Sequence, residues 1–158
     1  MSSLRADTVN KFVEAFSKLD QEALHALVSP SFTHTFAPSS AGLPPPMDYD
    51  TWATRMGKLR TLLKAYPVTV KTMIDCGDVE NKVVIHATGQ AQFKDEVMDD
   101  GMSKEEWAND GEYIVIFTMN ADVKLDAVLE FADSKTVDRF VELMQRAGEN
   151  LQKKMGKQ

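Results

Sequence analysis

The chain has 158 residues, the size of one domain, and 24 Asp and Glu against 18 Lys and Arg give it a net charge of −6. Nucleic acid is therefore not an expected partner, because a polyanion needs a basic face. Hydrophobic residues make up 43% of the chain, enough for one core in a domain that buries roughly 70% of its unfolded surface, yet no apolar run approaches the roughly 20 residues that cross a bilayer, so no membrane partner is expected.

Residues 1–7 show no basic segment leading into an apolar one, which gives a cytoplasmic expectation. The single Cys76 has no thiol partner for a disulfide or a metal motif, and reads as a small packing residue near a strand end. Lys153, Lys154 and Lys157 form the one basic cluster, read as a frayed tail over about 153–158 at the end of a single domain spanning 1–158.

In chain order, Val9, Phe12, Val13, Phe16 and Leu19 recur at helical intervals and predict a helix over about 3–19. Asp20 is placed to cap a short helix over 21–28, and Pro30 predicts a turn at 29–30 because the residue before proline avoids helical geometry. Residues 31–36 alternate and read as a strand, and the proline-rich 38–46 reads as a stiff loop serving as rim or lid. Asp48 then caps a third helix carrying Trp52, Met56, Leu59, Leu62, Leu63 and Tyr66 on one stripe until Pro67.

Beyond Pro67 the period becomes two, predicting antiparallel strands over 68–76, 82–93, 112–121 and 123–132 joined by turns at 77–81 and 120–122. In the link 94–111, Ser103 and Glu106 have capping-box spacing and predict a helical turn presenting Trp107. A last helix from 133–134 turns Val137, Phe140, Val141, Met144 and Ala147 inward.

Helices ahead of an antiparallel sheet define an α+β layer fold. The order helix, helix, strand, long helix and four antiparallel strands resembles the nuclear transport factor 2-like cone, and particularly its SnoaL-like branch, over almost the whole chain. The stretches 29–40, 93–96, 112–114 and 130–134 look like small fungal SnoaL-like proteins of secondary metabolism. The resemblance implies a cone-shaped curved sheet around a hollow, and a cyclase, isomerase, rearrangement catalyst or epoxide hydrolase that generally works without cofactor or metal. Other members only bind ligands or partners, so a non-catalytic binding or dimerisation module stands as the rival.

Glu130 is the first catalytic candidate. It interrupts an apolar strand, and alternation sets it on one face with Asp126 and Val128, while Leu125, Ala127, Leu129 and Phe131 take the other. If that face lines the hollow, partial desolvation suits the carboxylate to proton transfer, and the resemblance implies that role near the end of this strand. His34, on the short strand, is the expected partner across the cavity.

His86 is a second histidine candidate, and His25 is assigned to the surface. Trp52, Tyr49, Trp107, Tyr113 and Phe36 are candidates for an aromatic wall around a small apolar molecule, with the Tyr113 hydroxyl orienting a substrate oxygen. Asp110 and Asp95 are candidates for the second carboxylate that epoxide opening requires. There is no phosphate loop, dinucleotide fingerprint, nucleophile elbow or zinc spacing, and the acidic run 95–101 does not match a calcium loop, so no cofactor or metal is expected. Apolar members in both alternating sets of 83–90 and 113–119 predict a homodimer through the outer sheet face.

Overall fold

The computed structural model describes residues 2–157. Three helices lie in the first half of the chain, α1 (Leu4–Ser17), α2 (Gln21–Leu27) and α3 (Tyr49–Leu62), and α4 (Ser134–Met155) closes it. Each starts on a side chain that accepts a hydrogen bond from an otherwise unpaired backbone N–H: Ser3, Asp20, Asp48 and Asp133. The strands are β1 (Val28–Ala37), β2 (Met47–Asp48), β3 (Leu63–Ala65), β4 (Val68–Asp75), β5 (Lys82–Phe93), β6 (Asn109–Met119) and β7 (Leu125–Ala132). They form one seven-stranded sheet in the order β2-β1-β7-β6-β5-β3, with β4 also on β5.

All pairs are antiparallel except β1 with β7, which is parallel. Register shifts interrupt β1/β7, β3/β5, β4/β5 and β6/β7. Each extra residue bends its strand and raises the local twist, so the sheet curls. Its concave side packs Val83, Ile85, Phe117, Leu125 and Val128 against Val9 and Phe12 of α1 and Trp52, Met56 and Leu59 of α3, with Phe12 and Phe32 flanking the Trp52 ring. Among the described residues no helix is long and apolar enough to cross a membrane.

Several expectations are corrected. Residues 29–30 are not a turn, since β1 runs through Pro30. The ladder skips from Val28↔Leu125 to Thr33↔Ala127, and the missing proline N–H falls in that bulge, where Ser29 and Ser31 donate to Asp126 instead. The same irregularity turns Leu125 into the core alongside Val128, where strict alternation set it on the opposite face.

The third helix stops at Leu62 because Leu63 and Ala65 pair with β5, so tertiary pairing overrides the helical period. Between β5 and β6 the capping box forms as drawn from the sequence, with the Ser103 N–H donating to Glu106 at 2.8 Å and the Glu106 N–H donating to Ser103 at 3.3 Å. In α4 the core residues are Leu143 and Ala147, while Val141 is 55% exposed. The helix continues to Met155, with Lys154 donating to the Glu96 carbonyl, so 153–155 do not fray. Cys76 is exposed and is not the packing residue expected.

Candidate functional site

A cavity of about 600 Å³ lies between the concave sheet, α1, α3 and α4. Its floor is apolar: Phe12, Trp52, Met56, Leu59, Ile85 and Phe117. Exposed Gly42 and Pro45 of the proline-rich loop and exposed Val141 of α4 also line it, which sets its mouth between that loop and the final helix.

Alternation along β1 turns Phe32, His34 and Phe36 inward, and alternation near the end of β7 turns Val128, Glu130 and Ala132 the same way. Parallel pairing sets Phe36 opposite Glu130 and His34 opposite Val128. The histidine and the carboxylate are thus diagonal neighbours on adjacent strands, with His34 Nε2 3.2 Å from Glu130 Oε2. They meet side by side on one wall, not across the cavity. His34 Nδ1 is buried and has no hydrogen-bond partner among the described residues.

Tyr66, Tyr113, Arg55, Asn109 and Thr136 add polar side chains to the same space, and Nδ2 of the buried Asn109 has no hydrogen-bond partner among the described residues. Tyr66 and Tyr113 share a hydrogen bond between their hydroxyls. Burial, with the nearby Tyr113 and Glu130, pushes the Tyr66 phenol well above its ordinary range, and burial raises Tyr113 to about 12 against the opposing Tyr66 hydrogen bond. Both remain neutral at physiological pH, and the bond they share uses one of their two protons and leaves the other to donate. Gly89 and Gly111 stand opposite each other on β5 and β6, and a methyl on either would strike the Tyr66 or Tyr113 ring. Arg55 sits over the Phe36 ring at 5.3 Å. Burial lowers its pKa and the field of Glu130 opposes that shift.

Of the residues singled out in the sequence, Glu130, His34, Tyr113, Trp52 and Phe36 line this cavity. The others do not. His86 lies on the outer face of β5, 2.6 Å from Glu112, because its period-two position is opposite to that of Ile85 and Ala87. Trp107 is buried against Phe93 and Arg146 beneath the 94–107 link. Tyr49 bonds His25 at 2.9 Å behind Trp52, which also makes His25 a packed residue and not a surface one. Asp110 is exposed and accepts from Gln90, and Asp95 is exposed near Lys64. Among the described residues no cluster of His, Cys, Asp or Glu is arranged to hold a metal ion.

Sequence reasoning missed Tyr66, Arg55 and Asn109. The signals were available: glycines inside strand patterns mark a close approach, and Arg55 interrupts the apolar arc of Trp52, Met56 and Leu59.

A curled sheet wrapped on a long helix around an apolar chamber, with a histidine and a carboxylate on its wall, defines the class. The chain belongs to the nuclear transport factor 2-like superfamily, in its SnoaL-like branch. A curated relative is "Austinoid biosynthesis clusters protein H" of Penicillium brasilianum, 30% identical over 136 residues that span 84% of this chain and 85% of that protein. AusH from Aspergillus nidulans superposes with a TM-score of 0.69 at 25% identity, over 85% of this chain and 86% of that one. BvnE pinacolase from Penicillium brevicompactum superposes with a TM-score of 0.74 over 92% and 96%, and at 20% identity this shows the fold alone. No protein-family model matches the sequence.

Proposed function

We infer that the protein is an isomerase or cyclase for a small apolar biosynthetic intermediate, working by proton transfer through Glu130 and His34 without a cofactor. The observation that carries this is the His34–Glu130 contact of 3.2 Å on the wall of an otherwise apolar chamber. Glu130 takes a proton from the substrate, His34 fixes the carboxylate and relays the proton, and the tyrosine hydroxyl whose proton the Tyr66–Tyr113 hydrogen bond leaves free donates to a substrate oxygen. Placement in the chamber supplies the rest of the rate, as in any site that acts on an already reactive molecule.

A cyclase or isomerase fits the austinoid-cluster relative and the pinacolase that shares the fold. An open cavity argues against a purely structural module. The epoxide-opening alternative requires a second carboxylate, and among the described residues Glu130 is the one carboxylate that lines the cavity. A homodimer is part of the proposal, with Ile114, Leu129 and Phe131 covered on the outer sheet face.

The test is turnover of candidate intermediates in deuterated and in oxygen-labelled water. Glu130→Gln is expected to lower turnover by about 10²–10⁴-fold and leave ligand affinity within a few fold. Unchanged turnover in that variant refutes the assignment, and solvent oxygen in the product favours a hydrolase.

A further inference from the structure

Five arginines occur in the chain, and four have a partner on the protein. Arg5 meets Asp75 and Asp78, Arg60 reaches Gln21, Arg139 meets Glu142 and the Glu106 carbonyl, and Arg146 meets Asp99. Arg55 is the exception. Among the described residues no carboxylate lies within ion-pair distance of its guanidinium and no hydrogen bond reaches it, so Glu130 acts on it through its field alone.

The helix turns this side chain into the cavity, where it is half-buried. Arg55 follows Trp52 by three residues and precedes Met56 and Leu59, all on the face of α3 that lines the cavity. Its guanidinium carbon lies 5.3 Å from the Phe36 ring centroid, a cation–π contact that uses none of the N–H donors. A cation partly withdrawn from water against an apolar wall, with no acceptor supplied by the protein, is stabilised when something else completes it. His34 already engages Glu130, the one anion close enough to respond.

The geometry points to Arg55 as the docking point for an anionic oxygen of the ligand, so that the chamber takes an apolar molecule bearing a carboxylate or an ionised enol. The planar fork of a guanidinium matches two oxygens at once, which a lysine cannot do. This inference rests on the chamber being the ligand site, and it stands whether or not Glu130 and His34 move a proton.

The test is calorimetric titration of the whole protein with two matched pairs: naphthoate against naphthamide, and ionised dimedone against its enol methyl ether. Within at least one pair the anion is expected to bind about 10- to 100-fold more tightly than its neutral counterpart, as a charge-assisted pair does. Preference within the first pair identifies a carboxylate, and within the second an enolate.

Arg55→Met, which keeps the aliphatic stem, is expected to abolish the preference, and Arg55→Lys to reduce it several-fold. Equal binding within both pairs, no saturable binding of either anion, or a preference that survives in Arg55→Met or is undiminished in Arg55→Lys overturns the inference. Glu130→Gln is expected to keep the preference. Loss of turnover in that variant together with no anion preference in the parent would therefore sink the Arg55 inference alone and leave the proton-transfer proposal standing.

Discussion

Gly111→Ala drives a methyl group into the ring of Tyr113. A Cβ at residue 111 would lie 2.8 Å from Tyr113 Cε2 and closer still to Cζ and the hydroxyl. The backbone there is not left-handed, so alanine adds no strain of its own and the whole cost comes from the ring. Tyr113 must rotate away or β6 must bulge outward, and either movement breaks the bond to Tyr66.

Overpacking of this kind costs about 1–3 kcal/mol, and the lost hydrogen bond adds about 1 kcal/mol. For a chain of this size the sum lowers Tm by roughly 5–15 °C. The assay is calorimetric melting of a double-mutant cycle with Tyr113→Ala. Once the ring is gone, the added methyl meets open space and the Gly111→Ala cost is expected to vanish, giving a coupling of about 2 kcal/mol or more. Gly57→Ala serves as the control. Its Cβ meets nothing within 4 Å in the interior of α3, so it is expected to stabilise by about 0.5–1 kcal/mol. An equal Gly111→Ala penalty with and without the Tyr113 ring, or no penalty at all, refutes the account of this wall.

The Ser3 hydroxyl, the Gly77 N–H and Arg5 hold the Asp75 carboxyl at about 2, below its ordinary 3.8. The unfolded chain therefore binds the proton first, and the stability this carboxylate contributes is present above about pH 4 and lost as the pH falls toward 2. Asp75→Asn is expected to flatten the dependence of Tm on pH within that window, and an unchanged acid limb counts against it. Tyr113 is raised to about 12 and Tyr66 is raised as well, so stability linked to both phenols holds below the ordinary tyrosine range near 10 and falls as the pH climbs toward 12. Ultraviolet titration of the folded protein is expected to show these two phenols ionising above that range, and ionisation of either near 10 counts against it. Phe131, which is 52% exposed, faces outward beside Ile114, and Phe131→Glu is expected to convert a dimer to a monomer by light scattering, a parent already monomeric sinking that proposal.

The four antiparallel strands were legible because period-two alternation recurs in each, and the 82–93 strand keeps both of its predicted ends, while β6 begins at Asn109 and not at 112 and β7 begins at Leu125 and not at 123. Local pattern failed where tertiary pairing decided the outcome. Leu63 and Ala65 continue a helical stripe in sequence but gain ladder bonds on β5, and Pro30 reads as a stop until the bulge opposite Asp126 absorbs its missing N–H. Within the site, His34 stood out as a titratable residue on the short strand beside the proline-rich loop, and Glu130 as a polar interruption of an apolar strand. His86 stood out in the same way yet faces outward, because alternation fixes that two residues share a face and not which face is concave. Tyr66 escaped because its position depends on the helix ending four residues earlier, at Leu62.

Parallel pairing of β1 with β7 joins the beginning of the chain to its end, bringing together residues 96 positions apart. No early fragment can hold both members of the pair. Strand β7 is the last strand to emerge and must slot beside a strand already packed against α3, and this long-range closure is the slow kind of folding event. Ligand affinity would then report completion of the whole chain, and a product truncated before β7 would remain inert however much of its core had formed.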